Sequence, residues 1–118
     1  MEIYVGIPAF NEEKNIASLI VKIQDLGYKI LICDDASTDS TWNVVNDLVG
    51  NNPKFKLIQN DTNLGAAHNY NEYLNNFSMK DENILAHLDG DDWFATPDVL
   101  EKINQLYLDK DLWMSYGY

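Results

Sequence analysis

Apolar residues recur along this chain in two alternating patterns, short unbroken runs and longer stretches at helical spacing. Residues 3–7 form a compact apolar run closed by Pro8 and predict a buried strand. Over residues 11–26 the apolar positions Ile16, Leu19, Ile20, Ile23 and Leu26 recur every three or four residues, with Gly27 just past the end. This predicts a helix that Asn11 caps and whose positive end suits Glu12 and Glu13. Residues 29–33 predict a second strand, and Val44, Val45, Leu48 and Val49 mark a second helix closed by Gly50 and the turn Asn51-Asn52-Pro53. A third strand is expected over 55–58, and a third helix over 66–77 with Tyr70, Tyr73, Leu74 and Phe77 on one face. A fourth strand follows over 84–88. Thr96 as cap and Pro97 at the first helical position open a fourth helix through Tyr107, and the apolar stretch 112–118 reads as a fifth strand.

Strand–helix alternation at this spacing argues an α/β fold, an open and mostly parallel sheet with helices on both faces. Sheets of this kind bind ligands in the crevice beyond the carboxyl ends of their strands. Polar residues gather at those ends: Pro8-Ala9-Phe10-Asn11-Glu12 after the first strand, Asp34 to Asp39 after the second, Asn60 to Gly65 after the third, and Asp89-Gly90-Asp91-Asp92 after the fourth. All four clusters are expected on one edge.

Composition narrows the chemistry. The 118 residues read as one domain, 1–118, and 46% of them are hydrophobic, ordinary for a globular core. Nineteen Asp and Glu face eight Lys and Arg, a formal −11, so the long-range field repels nucleic acid and attracts cations. Many of these acids simply solvate the surface. The single cysteine, Cys33, cannot form an internal disulfide and sits in an apolar run where a buried, inert thiol is expected. No signal peptide and no run of roughly 18 apolar residues is present, which predicts no transmembrane segment and a cytoplasmic protein.

Dense carboxylates raise one another's pKa unless a cation neutralises them. Hard oxygen ligands suit Mg2+ or Mn2+, which bind through one or two carboxylates plus substrate phosphates. Asp89, Asp91 and Asp92 are the best metal candidates, with Gly90 expected to let the backbone turn sharply; the bland alternative is a turn in which the aspartates bond local amides. At Asp34-Asp35 a carboxylate could accept from a base imide or a ribose hydroxyl, whereas capping of the next helix is the plainer role, and Ser37 and Asp39 look structural. Asn63-Leu64-Gly65 reads as a turn whose glycine needs unusual dihedrals, followed by a helix N-terminus that could face an anion. His68 and His87 lack zinc spacing, and His87 reads as a satisfied residue in or behind the core. Trp93 and Phe94 are expected to pack beneath the acidic loop.

Together the four clusters resemble the inverting glycosyltransferase family 2, of GT-A fold. Ile7-Pro8-Ala9-Phe10-Asn11-Glu12 looks like that family's Pro-x-Tyr-Asn-Glu opening, and Cys33 to Thr41 looks like its Val-Asp-Asp-Gly-Ser-Thr-Asp-x-Thr. Asn63-Leu64-Gly65 with Asn69 and Asn71 looks like its Asn-x-Gly-x-x-x-Ala-Arg-Asn stretch, and Leu88 to Asp92 with Pro97-Asp98 looks like its Asp-x-Asp-Asp motif and the helix behind it. The resemblance implies transfer of a sugar from a nucleoside diphosphate sugar, a UDP-sugar by preference, to an acceptor hydroxyl on a glycan or lipid-linked molecule, with inversion. It implies that Pro8, Ala9, Phe10, Glu12, Asp35, Asn63, Gly65, Asp89 and Gly90 contact the donor, with Asp35 on the base imide, and that Asp91, helped by Asp89 and Asp92, holds Mn2+ or Mg2+.

Two departures from the family pattern stand out. Tyr70 occupies the place of the arginine before the late asparagine. The general base and the acceptor half are expected beyond residue 118, so this length alone is expected to bind donor weakly and not to transfer sugar. The alternative is a non-catalytic nucleotide-sugar-binding module lacking the base. A location peripheral to the inner face of a membrane and pairing of two copies through the last strand also fit this reading. A receiver-like phosphoryl-accepting domain would need an Asp at the end of the third strand, where Asn60 stands.

Overall fold

The computed structural model describes residues 2–116. Four strands, β1 (Ile3–Ala9), β2 (Lys29–Asp34), β3 (Phe55–Gln59) and β4 (Ile84–His87), alternate with four helices, α1 (Ile16–Gln24), α2 (Thr41–Val49), α3 (Ala66–Phe77) and α4 (Val99–Leu106). The strands form one sheet in the order β3-β2-β1-β4, with every pair parallel. The expected open α/β sheet is therefore present, and its four strands are all, rather than mostly, parallel.

Alternation along β1 divides the core in two. Ile3, Val5, Ile7 and Ala9 face one side, where Ile16, Leu19, Ile20 and Ile23 of α1, Val45 and Val49 of α2 and Leu100 of α4 close over them. On the other face Leu31 and Cys33 of β2 pack against Tyr73 of α3, with Phe77 and Leu85 alongside. Helices thus cover both faces, and the interior strand β1 reads as a nearly continuous apolar run because both its faces are buried. Gly6 makes the α3 layer possible: a Cβ there would lie 2.7 Å from the Tyr73 ring, which is fully buried. Burial drives the Cys33 thiol up to about 11, helped by the Asp35 carboxylate, so it is the inert thiol expected.

Several boundaries differ from expectation, and tertiary hydrogen bonds explain most of them. β1 runs through Pro8 to Ala9; the proline ends nothing because its carbonyl still accepts from Gly90 N–H at 3.1 Å. α1 starts at Ile16 rather than near Asn11, which lies at φ 53° and so cannot lead into a helix. The Asn11 side chain accepts instead from Thr38 N–H, 2.8 Å away in the next cluster. α4 starts at Val99 with Asp98 at the N-cap position, Thr96 and Pro97 forming the turn before it, and it ends at Leu106.

On α3 the buried residues are Asn69 and Tyr73, while Tyr70 and Leu74 are exposed, so the helix presents a more polar seam than predicted. Among the described residues, 112–116 do not form the expected fifth strand, and Ser115 contacts the Tyr107 hydroxyl of the turn after α4. Residues 117 and 118 of that expected strand lie outside the described residues. Among the described residues, no helix is long and apolar enough to cross a membrane.

Candidate functional site

With every strand parallel, the carboxyl ends of β1, β2, β3 and β4 share one edge, and the four polar clusters meet there. Backbone rungs continue past the strands: Asp35 N–H bonds the Ala9 carbonyl at 2.8 Å, Asn60 N–H the Asp34 carbonyl at 2.9 Å, and Leu88 N–H the Gly6 carbonyl at 3.0 Å. Asp35 and Asp89 are attached to strands two apart in the sheet, a backbone separation of about 10 Å.

The β1–α1 loop is tied to the β2–α2 loop by reciprocal bonds. Asn11 N–H donates to Ser37 Oγ at 2.9 Å, Glu12 N–H to Thr41 Oγ1 at 2.9 Å, and Ser40 N–H to a Glu13 carboxylate oxygen at 3.0 Å. Asp39 accepts from Thr41 N–H at 2.9 Å and from the Thr41 hydroxyl, at the mouth of α2, which is the structural role expected of it. Ser37 donates to Asp34, whose second carboxylate oxygen is buried with no partner among the described residues. Phe10 stands nearly half exposed at this edge beside Asn11.

Ala36, within the β2–α2 loop, has φ 63°, a left-handed conformation that costs an L-residue roughly 1–2 kcal/mol. Glycine relieves that strain but adds about 0.4–1 kcal/mol of unfolded-state entropy. Ala36→Gly is therefore expected to stabilise the fold by about 0.5–1 kcal/mol, read as a higher midpoint in urea unfolding; a lower midpoint would refute the strain.

Asp35 does not cap α2. Its carboxylate accepts from Leu64 N–H at 2.8 Å, Gly65 N–H at 3.1 Å and Asn60 Nδ2 at 2.9 Å. Gly65 has φ 85°, as its place in the turn predicted, and occupies the N-cap position of α3. The helix N-terminus expected to face an anion thus faces one within the protein. Burial alone would raise the pKa of Asp35, but the Leu64 amide, the Asn60 side chain and the Gly65 amide outweigh it and hold the carboxyl below its ordinary value. A carboxylate offers about four acceptor positions, so roughly one stays free for a ligand. Asn63 lies exposed beside this turn.

At the end of β4 the carboxylates of Asp89, Asp91 and Asp92 each offer an oxygen within 4.8 Å of the others, and all three residues are exposed. Two oxygens on one ion lie at most about 4 Å apart around Mg2+ and about 5 Å apart around Ca2+, so this all-oxygen set has the chemistry of a hard divalent cation, would draw slightly inward around a small one, and lacks the nitrogen or sulfur that zinc favours. Gly90 serves this loop through close approach rather than unusual dihedrals: a Cβ would sit 3.1 Å from the Pro8 carbonyl oxygen and 3.3 Å from Glu12 Cγ. The acidic loop is thereby seated on the β1 cluster.

The residues that sequence patterns missed lie on the α3 side. His87 is not the satisfied residue expected: its Nδ1 is buried with no hydrogen-bond partner among the described residues. Its ring stacks on Tyr70 at 4.5 Å between centroids, and Nε2 lies 3.3 Å from Asp89 Oδ1. The alternation of β4 places His87 and Asp89 on one face, a period-two signal that was available. Asn60 and Asn69 join Cys33 and Asp35 in one buried network, with Asn60 Nδ2 3.0 Å from Asn69 Oδ1. Trp93 also departs from expectation: only Phe94 packs on the core, while Trp93 is 65% exposed with Lys22 Nζ 5.0 Å above its ring.

This arrangement has counterparts. The sequence pattern of Glycosyl transferase family 2 matches residues 4–115. A UDP-Glc:alpha-D-GlcNAc-diphosphoundecaprenol beta-1,3-glucosyltransferase, WfaP of Escherichia coli, is 30% identical over 114 residues, covering 94% of this chain and 43% of that protein. Among solved structures, residues 1–349 of S. aureus TarS superpose with a TM-score of 0.73 at 25% identity over 93% of this chain and 33% of that one. The mannosyltransferase PcManGT from Pyrobaculum calidifontis, solved with GDP-Man and Mn2+, gives a TM-score of 0.71 at 25% identity over 84% and 30%. The chain spans less than half the length of each of these proteins. With the family pattern running through all four clusters at the sheet edge, this chain belongs to glycosyltransferase family 2 and carries its GT-A-type fold.

Proposed function

We propose that this chain is the donor-binding portion of a metal-dependent, inverting glycosyltransferase that takes a nucleoside diphosphate sugar, with UDP as the preferred nucleotide. The observation that carries this reading is the cluster of Asp89, Asp91 and Asp92 oxygens within 4.8 Å of one another, at the same sheet edge as Asp35. Asp91, with Asp89 and Asp92, would hold the ion. A divalent cation there supplies positive charge against the diphosphate as it leaves.

The chain's own residues do the rest. Asp35 offers its remaining acceptor position to the base imide N–H, with Pro8, Ala9, Phe10 and Glu12 lining the base and ribose pocket. Asn63, Gly65 and Gly90 shape the floor. PcManGT, described as bound to GDP-Man and Mn2+, supports a nucleotide-plus-metal reading for a chain of this fold. The acceptor is a glycan or lipid-linked hydroxyl, and the general base is assigned to none of the residues of these four clusters. The enzyme is placed in the cytoplasm, peripheral to the inner membrane face where a lipid-linked acceptor is presented.

Calorimetric titration of UDP with and without Mn2+ tests this. Wild type is expected to bind UDP in a Mn2+-dependent manner, and Asp91→Ala to weaken that binding about tenfold or more, the equivalent of one lost charge-assisted contact. Equal affinity in both proteins would end the proposal.

A further inference from the structure

The opposite edge of the sheet, where the strands begin, carries a second feature of opposite charge. A groove of about 180 Å³ is lined by Tyr4, Lys29, Ile30, Pro53, Lys54, Phe55, Lys56, Asn76 and Phe77. Three of these nine residues are lysine, in a chain with eight basic residues among 118 and a net charge of −11. Register explains the gathering. Lys29, the first residue of β2, pairs with Tyr4 of β1, and Ile30 pairs with Phe55 of β3, with Ile30 N–H bonded to the Lys54 carbonyl at 2.8 Å. Parallel strands bring three separate lysines to one mouth.

The charges are not cancelled within the groove. Lys29 Nζ lies 5.6 Å above the Tyr4 ring, a cation–π contact that leaves all three ammonium protons available. Lys56 donates one proton to the Asn76 carbonyl at 3.3 Å and keeps two. Two acids bond lining residues from outside the groove: Glu2 accepts the Tyr4 hydroxyl at 2.6 Å and lies in the fields of Lys29 and Lys80, and Glu72 accepts from Asn76 Nδ2 at 3.2 Å. Beneath the lysines the floor is apolar, with Tyr4 and Phe77 in a tilted pair at 4.8 Å.

We propose that this groove binds a phosphate group that carries an apolar substituent, the ammonium groups taking the phosphate oxygens and the aromatic floor taking the substituent. Compact, rotatable ammonium groups suit a multiply charged anion. Such a phosphate can belong to a soluble ester or to the headgroup of an anionic lipid. The site lies at the other edge from the acidic cluster, so it is independent of the donor reading.

The test uses the full chain in EDTA, so that no metal bridges phosphate to the aspartates. Phenyl phosphate is titrated by calorimetry, with benzoate as the singly charged comparison, and binding to phosphatidylglycerol vesicles is compared with binding to phosphatidylcholine. Saturable binding of phenyl phosphate that weakens about tenfold or more in the triple variant Lys29→Gln, Lys54→Gln, Lys56→Gln supports the proposal with a soluble ester as source. Binding confined to phosphatidylglycerol vesicles and lost in the same variant supports it with a lipid headgroup as source. Binding of neither probe overturns it, as does benzoate binding as tightly as phenyl phosphate or affinity unchanged in the variant. All three lysines are exposed, so the variant retains the fold, checked by its far-UV spectrum.

Discussion

Asp35→Ala is expected to cost about 2–4 kcal/mol of folding stability. Three donors converge on that carboxylate, the Leu64 and Gly65 amides and the Asn60 side chain. Each donor left without an acceptor in a part-buried setting costs about 1 kcal/mol or more, and the first turn of α3 loses the negative charge at its positive end. Asn60 also serves Asn69, which in turn accepts from Cys33, so the loss spreads into the α3 layer.

The effect of Asp35 depends on pH in a defined direction. The folded carboxyl titrates below its ordinary range, so ionised Asp35 stabilises the fold fully above about pH 5. That contribution drains away as pH falls below the ordinary value and through the lowered one. Urea unfolding of wild type and variant at pH 7 and near pH 3 should therefore give a stability difference that shrinks in acid. A difference of the same size at both pH values would mean that the ionised carboxylate does not hold these three donors.

Sequence periodicity carried the architecture because each strand and helix buries a face whose spacing is local. The alternation over β1, β2 and β4 and the helical spacing of Ile16, Leu19, Ile20 and Ile23 needed no tertiary information. The residues that gather at the sheet edge were legible for a related reason: once strands are parallel, whatever follows each of them shares an edge. What stayed hidden depended on partners distant in the chain. Asn11 looked like a cap until Thr38 took its side chain, and Asp35 looked like a cap for α2 until the α3 turn took its carboxylate. On α3 the polar Asn69 occupies the buried seam because Cys33 and Asn60 bond it, and no amphipathic pattern announces such a position. At Gly90 the sequence suggests a sharp turn, whereas its service is the absence of a Cβ against Pro8 and Glu12.

Replacing Asp89, Asp91 and Asp92 together by asparagine is expected to have the opposite signature from Asp35→Ala. The three side chains are exposed and lie close enough to repel one another, so the metal-free triple variant should melt at or above the wild-type temperature. Wild type should gain stability from Mn2+ by mass action, about 2.7 kcal/mol when free ion reaches a hundred times its dissociation constant, and the triple variant should gain none. Asp35→Ala should start lower and keep the response. Melting curves of the three proteins, each with and without Mn2+, separate the acid that builds the edge from the acids that would hold the ion. The chain keeps ample other carboxylates, among them Asp81, Glu82, Asp109 and Asp111, so any stabilisation that came from diffuse counter-ion binding would be retained in the triple variant. A Mn2+-dependent rise that survives the triple substitution would therefore assign the cation to the general acidity of the chain and remove the β4 loop from the site.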